Sequence, residues 1–271
     1  MEKEKKFVDQ VNNYKISRNK YYVFFLYILV QFLLASVVTI GFALIVAKNK
    51  GLDNQIMLNC LSKYQTEPFD KSYLDINYNA QAFGNFFSYA VVLLFIIVLC
   101  KNVFVDDALK IKNNKKFNFY FIILSTAIFA LVSLFVDKVI QIYVPVSNNQ
   151  STIVTILSNG GYGMVLMTIS VLLAPIVEEF IYRHCIFHFL RKYNVIFSYA
   201  VSIILFVFPH MLSTKIENVG IWLLQSLPYV ISAFMLALIY HKSNRNIYAS
   251  ISAHMLNNII AVIEVFYFIN K

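Results

Sequence analysis

Three ionisable residues lie close together within an otherwise apolar stretch of the chain: Glu178, Glu179 and Arg183. At about 100° per residue around a helix, Glu179 and Arg183 lie one turn apart on the same side, a spacing that suits an ion pair. Glu178 points about 100° away from them and lacks a local partner on its own helix. Pro175 removes a backbone hydrogen bond and bends the helix just before the pair, which admits water. The pattern suits a reactive carboxylate beside a structural ion pair, and it also suits a pump's charge relay.

Two more pairs of residues at four-residue spacing occur later in the chain, Phe206 with His210 and His254 with Asn258. Each pair shares one face of a helix. Histidine and asparagine both donate hydrogen bonds to an oxygen that gains negative charge, as an oxyanion site requires. Packed core histidine and polar contacts between membrane helices are the non-catalytic interpretations of the same residues.

The depth of each of these residues within its helix predicts that their side chains lie at similar levels in the membrane. Counted at 1.5 Å per residue from the basic residues at the helix ends, Glu178 lies roughly 20 Å deep and His210 roughly 24 Å deep. On the same scale, Asn258 lies roughly 18 Å deep and His254 about 12 Å deep. We therefore expect polar groups from three helices to meet inside a hydrocarbon environment.

The composition indicates which environment that is. Of the 271 residues, 59% are hydrophobic and 14% charged, against about 45–50% and 25% in soluble domains. The mean hydropathy of +0.65 points to lipid as the solvent and excludes disordered, collagen-like and disulfide-rich classes. Cys60, Cys100 and Cys185 form no CxxC pattern, so neither a disulfide framework nor a cysteine zinc site is indicated.

The fold predicted from these runs is an all-α, polytopic membrane bundle of about seven transmembrane helices, because a spanning helix needs about 20 apolar residues. The runs are Tyr21 to Ala47, Phe83 to Cys100, Phe117 to Val136, Gly163 to about Lys192, Asn194 to Leu212, Val219 to Tyr240 and Ile247 to Asn270.

Charge and composition divide the chain into three parts. Residues 1–20 are predicted to form a basic cytoplasmic tail. Residues 21–160 are predicted to contain three supporting transmembrane helices and a polar loop at 48–82. Residues 161–271 form the predicted catalytic helical core. With the N-terminus in the cytoplasm, sixteen Lys and Arg lie inside and seven outside, which is the orientation that the positive-inside rule favours. The net charge of +9 is then explained by membrane orientation, and no nucleic-acid partner is expected.

The three motifs, Glu178-Glu179-x-x-x-Arg183, Phe206-x-x-x-His210 and His254-x-x-x-Asn258, resemble those of the CPBP family of intramembrane glutamic endopeptidases. That family includes the type II CAAX prenyl endopeptidases and the bacterial Abi proteins tied to bacteriocin self-immunity. The resemblance covers about Gly163 to Asn270.

The resemblance implies a role for each matched residue. Glu178 and His210 would hold and deprotonate the attacking water. His254 and Asn258 would stabilise the oxyanion. Glu179, Arg183 and Phe206 would support them, and no cofactor or metal would be needed.

Other chemistries remain open at this point. Glu178, His210 and His254 present a carboxylate and two imidazoles that suit zinc, and His184 and His188 are also spaced as metal ligands. Cys185 falls near the Glu178 face and is a conceivable nucleophile, although a buried cysteine without an activating group is the commoner case.

The last alternatives concern the protein class and its substrate. A non-catalytic immunity or binding scaffold is the competing class, whereas a transporter would be expected to show an internal repeat, and none is visible. The depth of the site implies a membrane-associated or hydrophobic peptide substrate. The abundance of Lys, Asn, Ile, Phe and Tyr suggests an AT-rich bacterial gene. Because bacteria generally lack prenylated CAAX proteins, leader-peptide or signal-peptide processing is favoured.

Overall fold

The protein, seen as a computed structural model, is described over residues 19–63, 66–113 and 115–269. Most of the predicted cytoplasmic tail and the end of the last predicted span, at Asn270, lie outside this range. Across the described ranges the chain forms nine helices and no strand. They are α1 (Asn19–Asn49), α2 (Asn54–Lys63), α3 (Lys71–Asn113), α4 (Lys115–Tyr143), α5 (Asn148–Asn159), α6 (Gly161–Leu190), α7 (Val195–Met211), α8 (Val219–Lys242) and α9 (Ile247–Ile269).

Six of the helices, α1, α3, α4, α6, α8 and α9, are long and apolar enough to cross a membrane, and α7 is a shorter apolar helix of 17 residues. Large apolar side chains on α1 and α4 face outward, with Phe25, Val37, Leu131 and Phe135 each about two-thirds exposed. Such a surface requires lipid around it. The prediction of an all-α polytopic bundle is confirmed.

The polar stretch at 48–82, expected to be a loop, is mostly helical. It contains all of α2 and the first twelve residues of α3. Asp53 caps α2 by accepting hydrogen bonds from the backbone N–H groups of Gln55 and Ile56. Met57 and Cys60 are buried against α1, so a few buried residues hold a helix whose sequence has no long apolar run.

Two contacts fix α3 against α1 and against α9, the helix that carries the last predicted motif. A Cβ added at Gly84 would come within 1.9 Å of Thr39 Oγ1, so glycine allows α3 to approach α1 closely. At the other end of α3, the Asp107 carboxylate accepts the backbone N–H of Ile247 at 2.7 Å and thereby caps the start of α9. α3 also packs along α6.

Two of the spanning helices contain π-helical segments, at Val30–Leu34 in α1 and Phe180–Phe187 in α6. π-helical turns often accompany functional sites, because they change which residues share a helix face. The second segment begins directly after Glu179, within the first predicted motif.

Candidate active site

A cavity of about 1490 Å³ runs into the bundle and receives side chains from all nine helices. Its rim includes the exposed residues Ser62, Lys63 and Lys215, and its lining reaches inward to Glu178. The described residues that line it lie in the middle of the helices or towards one end of the bundle. That end is opposite the start of α1. The cavity therefore opens at the end where α2, α5 and residues 212–218 lie.

Glu178 is 3% exposed and its carboxylate is held by groups from other helices. The Tyr89 hydroxyl on α3 donates a hydrogen bond to Oε1 at 2.7 Å. Oε2 lies 3.9 Å from Nε2 of His254. From the sequence, Glu178 has no partner on its own helix. Its partner Tyr89 was not predicted, because it lies in the part of the chain that was expected only to support the site.

Glu179 and Arg183 form the ion pair that their spacing predicts. Arg183 Nε donates to Glu179 Oε2 at 3.1 Å, and both side chains are fully buried. Arg183 Nη1 also donates to Ser202 Oγ at 2.8 Å, and its guanidinium carbon lies 5.2 Å from the centre of the Phe206 ring. The pair thus ties α6 to α7.

His254, on α9, lies between the two glutamates. Its Nδ1 is 3.1 Å from Glu179 Oε1. A carboxylate oxygen accepts a hydrogen bond, so Nδ1 carries the hydrogen, and Nε2 is the ring nitrogen that faces Glu178. Glu179 therefore orients the imidazole as well as pairing with Arg183.

His210 is oriented by its own helix and by aromatic rings. Its Nδ1 donates to the main-chain carbonyl of Phe206 at 2.7 Å, and the two rings stack with centroids 4.8 Å apart. The Tyr229 ring lies 4.8 Å away on α8. In the neutral ring, Nε2 then carries the lone pair. His210 and Glu178 line the same cavity, but no hydrogen bond or ion pair joins them in the described ranges.

Asn258, on α9, is attached to the backbone of α6. Its Nδ2 donates to the carbonyl of Val171 at 2.9 Å. Val171 is four residues before Pro175, and proline has no N–H to bond that carbonyl. The amide therefore replaces the hydrogen bond that the proline removes, and one of its two hydrogens remains for the cavity, which Asn258 also lines.

The residues of the other proposed chemistries lie differently. Cys185 is buried, directs its Sγ towards the carbonyl of Lys20, and does not line the cavity. His184 stacks on Phe180. Among the residues that the structure describes, no group of three His, Cys, Asp or Glu side chains is arranged to hold a metal ion.

Comparison with known proteins identifies the region that holds the site. Residues 160–260 match the family model described as Rce1-like, type II CAAX prenyl endopeptidase Rce1-like. No curated protein and no solved structure matches the chain. The match contains all three motifs and confirms the resemblance to the CPBP family for this domain. At the level of the family, it supports a membrane protease, and with the six apolar helices it indicates a multi-pass membrane protein.

Proposed function

We propose that this protein is an intramembrane glutamic endopeptidase that hydrolyses a peptide bond of a membrane-associated or hydrophobic peptide. The observation that carries the proposal is the position of Glu178, a buried carboxylate on the wall of a large cavity, with one oxygen held by Tyr89 and the other facing His254. A site that only stabilised the fold would have no need of a route from the surface to this carboxylate.

In the proposed reaction, Glu178 acts as the general base. It takes a proton from a water molecule while the water oxygen attacks the peptide carbonyl carbon. His210 Nε2 accepts a hydrogen bond from the second O–H of the water and so orients it, because the Nδ1 hydrogen is already donated to the Phe206 carbonyl. Glu178 then returns the proton to the leaving amine as the carbon–nitrogen bond breaks.

The developing oxyanion is stabilised by His254 and Asn258. His254 is held by Glu179 with its Nε2 on the side of Glu178, and this nitrogen can donate to the oxyanion only in the imidazolium form of the ring. Asn258 offers the amide hydrogen that the Val171 carbonyl does not use. Glu179 and Arg183 act as positioning residues for His254, and Phe206 packs against the rings of His210 and His254.

Leader-peptide or signal-peptide processing is the proposed role, with the N-terminus in the cytoplasm and the protein in the cell membrane. The charge distribution along the chain and the membrane depth of the site support this assignment. Bacteriocin self-immunity is a second biological role that the same peptide hydrolysis would support.

The test compares membrane peptidomes of cells that make the intact protein, the Glu178→Gln variant or the Glu217→Gln variant. Glu217 is an exposed carboxylate outside the cavity lining, so its substitution is the matched control. We expect one or more cleavage products with the intact protein and the control but not with Glu178→Gln. Products that persist with Glu178→Gln at equal protein level would overturn the proposal and favour a non-catalytic scaffold.

A further inference from the structure

The cavity wall formed by α3 carries a regular series of polar side chains that leads to the site. Asn77, Gln81, Asn85 and Tyr89 follow one another at four-residue spacing and all line the cavity. Residues at this spacing lie on one helix face, so the series runs as a continuous stripe that ends at the hydroxyl bonded to Glu178.

The stripe is partly ordered by its own hydrogen bonds. Gln81 Nε2 donates to Asn77 Oδ1 at 2.8 Å, and Asn85 Nδ2 donates to the main-chain carbonyl of Gln81 at 3.0 Å. Each amide has two donor hydrogens and an accepting oxygen, so these bonds leave capacity at both Gln81 and Asn85. The side chains of the stripe are thus held in position, and they keep hydrogen-bond donors and acceptors that these bonds do not use.

The facing walls are polar at similar levels. Gln31, in the π-helical segment of α1, lines the cavity, and its Oε1 is buried without a hydrogen-bond partner in the described part of the chain. Ser133 on α4 and Asn257 on α9 line it as well. Leaving a buried acceptor without a hydrogen-bond partner costs free energy. A ligand that donates a hydrogen bond to Gln31 Oε1 would remove this cost.

From these observations we propose that the stripe binds an extended polypeptide segment of the substrate, and that this binding requires no prenyl group. An extended backbone presents an N–H and a C=O at every residue, and these groups need partners wherever water is scarce. Amide side chains can donate to and accept from such a backbone. An isoprenoid chain has no donor or acceptor for these amides, so the stripe itself fits a polypeptide backbone.

The stripe also sets the length of the bound segment. Asn77 and Tyr89 are twelve residues apart on one helix, which corresponds to about 18 Å at 1.5 Å per residue. An extended chain rises about 3.3 Å per residue, so roughly five substrate residues lie along the stripe between Asn77 and the bond beside Glu178. This inference rests on the proposed function, since the scissile bond is placed at Glu178.

The experiment uses the purified full-length protein and two mixed-sequence libraries of synthetic peptides, one unmodified and the other ending in a farnesylated cysteine. Products are identified by mass spectrometry with the intact protein and with Glu178→Gln. We expect Glu178-dependent cleavage of unmodified peptides, whether or not the farnesylated library is also cleaved, and at least about five residues on one side of the cleaved bond. Cleavage of farnesylated peptides alone would overturn this inference and leave the proposed function standing. Absence of Glu178-dependent products from both libraries would contradict the proposed function itself.

Variants of the stripe test the same inference on one cleaved peptide. Asn85→Leu and Gln81→Leu keep the approximate volume and remove the amide. We expect KM to rise roughly three- to tenfold for each, since one hydrogen bond is worth about 0.5–1.5 kcal/mol, with little change in kcat. Asn102→Leu is the matched control, because Asn102 is exposed on the same helix and lies outside the cavity lining. Unchanged KM in both stripe variants would overturn the assignment of the stripe to substrate binding.

Discussion

Asn258 Nδ2 donates a hydrogen bond to the carbonyl of Val171, 2.9 Å away on another helix. That carbonyl is the one that Pro175 leaves without an intrahelical donor. Pro175, close to the glutamates, and the asparagine of the last motif are therefore parts of one structural unit. An asparagine that sequence reasoning assigned to oxyanion stabilisation also holds the shape of the helix that carries Glu178.

The two roles of Asn258 can be separated by restoring the missing donor. Asn258→Leu leaves the Val171 carbonyl unsatisfied, and we expect the free energy of unfolding to fall by about 1–3 kcal/mol. In a Pro175→Ala background, the alanine supplies the absent backbone N–H, so the same Asn258→Leu change is expected to cost much less. Thermal unfolding of the four proteins in one detergent measures this coupling.

Activity in the same four proteins reports the catalytic role. We expect Asn258→Leu to lower kcat by roughly 10²–10³-fold in both backgrounds, because the oxyanion donor is lost either way. Recovery of kcat in the double variant, in step with its stability, would mean that Asn258 serves only to satisfy the Val171 carbonyl.

Tyr89 is the residue of the site that comes from outside the Rce1-like region. Tyr89→Phe removes the hydroxyl that holds Glu178 Oε1, and hydrogen bonds to charged groups are worth about 1.5–3 kcal/mol. We expect kcat to fall about tenfold or more with KM nearly constant, because the change misplaces the base and leaves the amide side chains of the stripe unaltered.

Tyr27→Phe is the matched control for Tyr89. The Tyr27 hydroxyl shares its hydrogen bond with Tyr182 at 2.8 Å, and Tyr27 lines the same cavity. A fall in kcat of equal size in both variants would indicate a general packing effect, and wild-type kcat in Tyr89→Phe would remove Tyr89 from the mechanism.

Sequence reasoning located the seven apolar helices and the three motifs because both depend on local patterns: long apolar runs, and ionisable residues at a spacing of four. It did not predict α2 and α5, which contain no long apolar run. It placed the Glu179–Arg183 pair correctly because both partners lie on one helix. It missed Tyr89 because a hydroxyl in an aromatic-rich apolar run gives no charge signal, and its partner is 89 positions away in the chain. The bond from Asn258 to Val171 was hidden for the same reason, since its acceptor is a backbone atom that any residue could supply.

Glu179 and Arg183 provide a test of the buried charge network. Arg183→Met alone leaves the Glu179 carboxylate without its cation, and breaking a buried pair in this way costs about 3–5 kcal/mol. The double variant Glu179→Gln with Arg183→Met removes both charges, and we expect it to recover part of that stability. Chemical denaturation in detergent measures the intact protein, each single variant and the double variant, and additive losses would contradict the pairing.

Metal removal distinguishes the proposed water activation from a zinc mechanism. The described residues contain no three-ligand cluster of His, Cys, Asp or Glu, so we expect cleavage to continue after prolonged treatment with a strong chelator and dialysis. The zinc content of the active protein is measured by elemental analysis in the same samples. Loss of activity on chelation, followed by its return with one equivalent of zinc, would favour zinc held by Glu178, His210 and His254.

The side of the membrane on which the cavity opens follows from topology and is directly measurable. Lys215 lies on the cavity rim, and Lys192 lies at the opposite end of the bundle, after α6. In a background where Cys60, Cys100 and Cys185 are replaced by alanine, Lys215→Cys and Lys192→Cys each provide one accessible thiol. With the N-terminus in the cytoplasm, a membrane-impermeant maleimide should label Lys215→Cys in intact cells and label Lys192→Cys only after permeabilisation. The reverse pattern would place the rim in the cytoplasm, and the peptide segment would then enter the cavity from inside the cell.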